Sequence, residues 1–349
     1  MSTKILLKTM LNKISSITLF FITIATTEVK ALETRFSSDI TVDSSFIDNN
    51  TFTEPVIRGL LNVGFETKLT SLIGKQSYIF VGYALQRGEQ GSDIAGDIQG
   101  FSNIDEKDFN HAFEVILAVE LSEKLFVKLG QMDANSDFAN TKYGQEFINS
   151  SMGVSPTIQG LPTYPQPSMG LYSQYKLNSA ITTRLGYYES SAKYNHFDDF
   201  FSIAEVQWHY QGNSSVKLGV WNHSHRENSD RVSASATDIY IAVDHYFNEK
   251  FSAFMQWGQA KKKVAIIEKH FSIGVNYQGL FSEEDTLGLG FTQADVVAAA
   301  SEQVTELFYL YPLNDKINIK PDLQFISSPS GNKLMGDLVI FTLRLSAQF

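Results

Sequence analysis

Leu338-Val339-Ile340-Phe341-Thr342-Leu343-Arg344-Leu345-Ser346-Ala347-Gln348-Phe349 closes the chain. Counted back from Phe349, one parity holds Ala347, Leu345, Leu343, Phe341 and Val339. The other holds Gln348, Ser346, Arg344 and Thr342, with Ile340 the single misfit. A period of two puts these sets on opposite faces of a strand. An Arg or Lys facing hydrocarbon costs about 2–4 kcal/mol at the bilayer midplane. A strand that is apolar on one face and ends on an aromatic therefore predicts a transmembrane β-barrel of outer-membrane type. Leu343 is expected to face lipid and Arg344 a watery lumen.

The other terminus agrees. Lys4, Lys8 and Lys13 flank a mostly apolar stretch from Ile14 to Ala25. It has the length of a signal-peptide core and falls short of the ~20 residues a spanning helix needs. Val29-Lys30-Ala31 places small residues at −3 and −1. Cleavage is expected after Ala31, leaving 32–349 as the barrel domain, exported to the outer membrane of a Gram-negative bacterium. The formal net charge is −10, from 28 Lys+Arg and 38 Asp+Glu. Loss of residues 1–31 removes four Lys and Glu28, so the counts become 24 and 37 and the net −13. Such a chain lacks the basic surface that nucleic acid requires. With no Cys it has no disulfide, thiolate ligand or Cys nucleophile. Mean hydropathy near neutral suits a barrel that hides its lipid face in alternation.

Alternating runs predict sixteen strands, near 34–42, 58–70, 76–86, 110–121, 124–132, 167–177, 180–189, 201–211, 214–223, 237–246, 249–260, 269–279, 285–293, 303–312, 316–326 and 337–348. Tight polar turns such as Leu177-Asn178-Ser179, Phe247-Asn248-Glu249-Lys250 and Asn314-Asp315-Lys316 alternate with long connections such as 87–109 and 133–166. That asymmetry matches short periplasmic turns and longer outer loops. By the same alternation Glu66, Lys68, Arg184, Glu205, Lys217 and Arg344 should face the lumen. Tyr187, Tyr210, Tyr246, Phe247 and Tyr309, near strand ends, suit interfacial girdles.

The connection 133–166 is the longest, and with Pro167 it gathers four of the eight prolines. Proline lowers the entropy cost of holding one loop conformation. A stiff loop of this length is the candidate for folding inward and narrowing a pore; a loop packed on the outer rim is the alternative. It offers Asp133, Asp137, Gln145, Asn149 and Gln166 beside Phe138, Phe147 and Tyr164.

Gly130-Gln131-Met132-Asp133 with Phe138, then Phe147-Ile148-Asn149-Ser150-Ser151 and Tyr164-Pro165, resemble the carbohydrate-selective, OprB-like porins in their order. So do Gly96-Asp97-Ile98-Gln99-Gly100-Phe101-Ser102-Asn103-Ile104, Gly274-Val275-Asn276-Tyr277, Asp285-Thr286-Leu287-Gly288, Glu306-Leu307-Phe308-Tyr309 and Pro321-Asp322-Leu323-Gln324-Phe325-Ile326. The resemblance runs from about residue 95 to 349. It implies passive, sugar-favouring diffusion of small carbohydrates through the lumen. A neutral polyol with apolar C–H faces calls for donors and acceptors beside aromatic rings. The residues expected to contact it or form the constriction are Asp133, Asp137, Phe138, Asn149, Tyr164, Arg184, Glu306, Asp322, Gln324 and Arg344. Each is open to the plainer reading of a loop-to-wall hydrogen bond.

No catalytic residue, cofactor or metal is expected. His223-Ser224-His225 lacks a third ligand at a known spacing. The expected partners are sugar permeants, outer-membrane lipid and lipopolysaccharide, and the assembly machinery that reads the strand ending in Phe349; monomer and trimer both stay open. Three rivals remain. One is a general diffusion porin with charge preference only. Another is an outer-membrane enzyme, for which Glu205 and Glu306 would be the carboxylates. The third is a closed adhesin or structural barrel.

Overall fold

The computed structural model describes residues 33–48, 55–73, 75–158, 160–190, 199–227, 233–261 and 265–349. The expected signal peptide lies outside the described residues. The strands are β1 Thr34–Asp48, β2 Val56–Lys68, β3 Ser77–Gly88, β4 Phe109–Ser122, β5 Leu125–Met132, β6 Ser168–Lys176, β7 Ile181–Glu189 and β8 Phe200–Gln211, continuing with β9 Ser214–Glu227, β10 Ser233–Tyr246, β11 Phe251–Gln259, β12 Ile267–Gln278, β13 Thr286–Val296, β14 Ser301–Asn314, β15 Ile317–Ser327 and β16 Leu338–Gln348. Each is antiparallel to its sequence neighbours, and β1 joins β16 to close the barrel. Closure leaves no sheet edge unpaired, the condition for strands to cross a bilayer. The seam runs from Asp39 opposite Gln348 to Asp48 opposite Val339. Beyond it, Phe349 N donates to Ser38 O at 2.8 Å and Ser38 N donates to Phe349 O at 3.0 Å. The terminal residue is thus part of the ladder.

Alternation sorts the faces as expected. On β16, Val339, Phe341, Leu343 and Leu345 point outward, while Thr342 and Arg344 are buried inside. Ile340, the misfit, also points inward. It is buried with Ile47, Val56, Phe101 and Ile326 beneath the loop 89–108. The lumen at that height is filled with protein, so an apolar residue belongs there. Tyr187 and Phe247 are exposed on the outer surface. Tyr246 shares the parity of inward Asp244 and Ala242 and packs near Phe308, so it is a lumen residue and not part of a girdle.

Three short turns repeat one chemistry. Asn178, Asn248 and Asn314 each accept, through Oδ1, the backbone N–H groups two and three residues on, at 2.8–3.0 Å. An Asx turn of this kind reverses the chain without positive φ at the Asn. Inside the barrel, small faces large across the ladder. Gly170 pairs with Tyr188, Gly219 with Tyr240, Gly274 with Phe254 and Gly288 with Phe308. Each ring lies over the glycine opposite, where a Cβ would collide with it. One irregularity matters for the lumen. In β4 the register shifts so that Gly82 faces Glu114 and Tyr83 faces Ala112, which leaves Phe113 as an extra residue. This bulge reverses the alternation.

Candidate functional site

The connection between β5 and β6 runs inside the barrel. It begins at Asp133, whose Oδ1 accepts from Asn135 N at 2.8 Å and caps the turn Ala134–Ser136. It then follows the inner wall strand by strand. Ala139 N donates to Glu205 on β8 at 3.1 Å, and Lys217 Nζ on β9 donates to Asn140 O at 2.8 Å. Tyr143 N donates to Asp244 on β10 at 3.1 Å. Gln256 on β11 donates to Met152 O at 2.5 Å, and Asn276 on β12 donates to Tyr143 O at 3.0 Å. Ile148 N and Asn149 N both donate to Glu306 on β14, at 2.6 and 3.1 Å. Lys320 Nζ on β15 donates to Glu146 O at 2.5 Å. The wall therefore presents carboxylates to loop N–H groups and cations or amides to loop carbonyls. Backbone polar groups held away from water need such partners.

The loop 89–108 is held in the same way. Glu302 accepts from Ile98 N, Gln99 N and Ser330 N at 2.9, 3.0 and 2.6 Å. Ser102 Oγ donates to Asp43 at 2.6 Å, and Arg58 pairs with Asp105.

The ten expected site residues divide into four places. Glu306, Asp322, Gln324 and Asn149 come together, all fully or almost fully buried. Asn149 Nδ2 donates to Gln324 Oε1 at 3.2 Å, and Gln324 Nε2 donates to Asp322 Oδ1 at 3.0 Å and to Phe101 O at 2.7 Å. A second group surrounds Glu205: Arg184 Nη1 donates to Glu205 at 2.8 Å and Nη2 to Gln207 at 2.6 Å. Nearby, Asp137 pairs with Lys128 at 2.7 Å, and Phe138 is buried edge-on to Tyr172 at 5.5 Å. Burial raises the pKa of Asp137, a rise that Lys128 opposes. Arg344 sits under loop 89–108, bidentate on Asp43 at 2.7 and 2.8 Å and bonded to Asn103 at 2.8 Å. Asp133, beside Glu114, and Tyr164, whose hydroxyl donates to Gln86 at 3.2 Å, lie on the β3–β4 side. Glu205 and Glu306, the carboxylates an enzyme would use, are 1% and 0% exposed; Glu205 accepts from Ala139 N, Arg184 and Tyr240, and Glu306 from Ile148 N and Asn149 N.

Sequence reasoning missed the anchors Asp244, Gln256, Asn276 and Lys320. Their signal was available: each is a polar residue on the inward parity of an otherwise assigned strand. It also missed an aromatic row on β4. Phe109, His111 and Phe113 share parity with outward Val115 and Leu117, and only the bulge turns them inward.

A closed sixteen-stranded antiparallel barrel with polar residues inside, apolar residues outside and a loop folded into its lumen is the architecture of an outer-membrane porin. The chain belongs to the OprB family of carbohydrate-selective porins, whose model matches residues 58–349. Among solved structures, the high-pH structure of Pseudomonas putida OprB is similar at a TM-score of 0.81 with 14% identity, covering 90% of this chain and 94% of that one. The low-pH structure of the same protein gives 0.61 with 15% identity over 90% and 92%. A mutant of Rh. blastica porin gives 0.56 with 10% identity over 91% and 100%. No curated protein sequence matches the chain. Family and barrel together imply an outer-membrane location.

Proposed function

We propose that the chain is a passive diffusion channel that favours small carbohydrates, with the connection 133–166 narrowing its lumen. The observation that carries this is the anchoring of the loop along the inner wall of the barrel. Its hydrogen bonds from Ala139 to Met152 go to β8–β12, β14 and β15. A loop so held, with 89–108 docked beside it on Asp43, Arg58, Gln86 and Glu302, would reduce the cross-section left for a solute. Family membership supports sugar as the permeant class. Transport by diffusion requires weak contacts, since a solute bound tightly does not leave.

Of the ten residues, Asp133, Asp137, Tyr164 and Arg184 are partly exposed and are proposed to meet the permeant. Phe138, Asn149, Glu306, Asp322, Gln324 and Arg344 are buried and are proposed to act by fixing the loops that shape the lumen. We further propose that residues 1–31 are removed on export and that 32–349 form the barrel. Its outward face would meet lipid and lipopolysaccharide, and Phe349 would serve assembly. Liposome swelling with a panel of sugars tests the reading, together with single-channel current in added glucose or maltose. Sugar-dependent block and swelling are expected. Swelling with no sugar preference and no block would favour a general diffusion porin, and no swelling at all a closed barrel.

A further inference from the structure

The wall from β1 to β4, beside the two ends of the anchored loop, carries two complementary strips; Pro165 O lies 3.0 Å from His111 Nε2 there. One is aromatic. Phe109 and His111 on β4 have ring centroids 4.9 Å apart, and His111 and Phe113 stack at 6.4 Å. Tyr164 of the loop meets Phe109 and Phe113 at 5.5 and 6.4 Å. Below them Phe80 on β3 lies over paired Gly64 and Gly82, where a Cβ would stand 2.9 and 3.0 Å from its ring. All of these rings are half-buried. The other strip is made of acceptors. Asn62 Nδ2 donates to Asp39 Oδ2 at 2.9 Å, and Glu114 Oε1 accepts from Asp133 N at 3.0 Å. Among the described residues this leaves Oδ1 of Asp39, Oδ1 of Asn62 and Oε2 of Glu114 without a protein donor. The strips meet in a recess of about 240 Å³ lined by Ser37, Asp39, Asn62, Phe80, Phe113 and Glu114.

We infer that this recess is a binding subsite for a neutral sugar in transit, entered along the row Phe109-His111-Phe113. The inference rests on the sugar-channel reading and names the wall that does the contacting. A pyranose has an apolar C–H face and a rim of hydroxyl donors. Phe80 and Phe113 match the face; Asp39, Asn62 and Glu114 accept from the rim. No Lys or Arg lines the recess, and its two carboxylates repel an anion. The ligand class is therefore an uncharged saccharide, and a phosphorylated sugar is disfavoured.

The test is glucose-induced block of single-channel current in planar bilayers, using the full folded chain. Phe80→Leu and Phe113→Leu fill space but remove the ring face, Phe113→Tyr keeps it, and Asp39→Asn removes the charge. The glucose concentration for half-block should rise roughly tenfold in either Leu variant, the equivalent of losing burial of one to two methylene-sized groups. Phe113→Tyr should behave as the unmodified chain. Asp39→Asn should admit glucose-6-phosphate block that the unmodified chain lacks. Glucose block of the unmodified chain that is unaltered in Phe113→Leu, Phe80→Leu and Asp39→Asn alike overturns the subsite and leaves the sugar channel standing. Absence of glucose block in the unmodified chain overturns both.

Discussion

Replacing Glu306 by Ala should loosen the lumen loop without unfolding the barrel. Glu306 is fully buried and accepts from Ile148 N and Asn149 N at 2.6 and 3.1 Å. Its loss leaves two buried donors unmet, at about 1–3 kcal/mol each. Asp322, inward-facing and buried on the neighbouring strand, remains as an alternative acceptor, which returns part of the cost. A net ~2–4 kcal/mol multiplies the population of loops detached at this point by about 30 to 700, at a factor of ten per 1.4 kcal/mol. The remaining anchors on Asp244, Gln256, Asn276 and Lys320 keep the detachment local. Backbone pairing of residue 306 with Gly290 and Gln324 does not depend on its side chain. Planar-bilayer recording should show a larger mean conductance and added current noise in Glu306→Ala. Glu306→Gln keeps one acceptor oxygen and should fall between. Heat-modifiable mobility on gels should stay that of a folded barrel. Conductance and noise in Glu306→Ala equal to the unmodified channel would refute the view that this carboxylate holds the loop.

Arg344→Leu strands Asp43 in a buried site, a loss of about 3–5 kcal/mol for a broken buried pair, so loop 89–108 should become protease-sensitive. Leu343→Arg, one residue away on the outer face, should instead impair membrane assembly, scored by the yield of heat-modifiable protein; similar behaviour of the two variants would contradict the face assignment. Burial beside Glu302 pushes Asp97 up to about 7, against a bond from Phe101 N. A raised carboxylate pKa means the docked loop keeps a proton that the undocked loop releases. Docking of 89–108 is therefore strongest at low pH and weakens as pH rises from about 4 through about 7. Proteolysis of this loop should be faster at pH 8 than at pH 5, and Asp97→Asn should flatten the difference. Gly219→Ala would drive a methyl into the Tyr240 ring, so Tyr240 must leave Glu205 and the yield of folded protein should fall; normal yield would show that the ring has room to move.

Much of the barrel was legible because alternation is enforced residue by residue. Arg344 beside Leu343 needs no tertiary information to be placed, since lipid on one side and water on the other decide it. The sixteen runs of alternation each became a strand for that reason. The site was less legible because a filled lumen obeys a different rule. Where protein occupies the pore, inward positions can be apolar like Ile340 or aromatic like Tyr240. Inward acids such as Glu306 can be partners of a backbone far away in sequence. Parity shows that Glu306 points inward; it does not show that two loop N–H groups arrive there from residues 148 and 149. The β4 row was hidden by a single inserted residue. Phe109, His111, Phe113, Val115 and Leu117 form one unbroken parity in the sequence, and the extra residue at Phe113 divides it between lumen and lipid.

The acidic balance of the chain gains a structural reading from these joints. A loop threaded through a barrel has little helix or sheet of its own, so its N–H groups need acceptors from the wall. A carboxylate offers two oxygens and can receive two or three such donors, and charge-assisted bonds are shorter and stronger than neutral ones. Glu205, Asp244, Glu302 and Glu306 are all used in this way. Their oxygens are directed into wall-to-loop joints rather than into the open lumen. On the proposed reading, the field a permeant meets is set instead by the partly exposed acids, among them Asp39, Glu114, Asp133 and Asp137. Net charge alone therefore overstates how strongly this lumen should prefer cations. Neutralising Asp39 should move ion selectivity more than neutralising Glu205, and reversal potentials in a salt gradient measure the difference. An equal shift from both would mean that the buried joints still govern the pore.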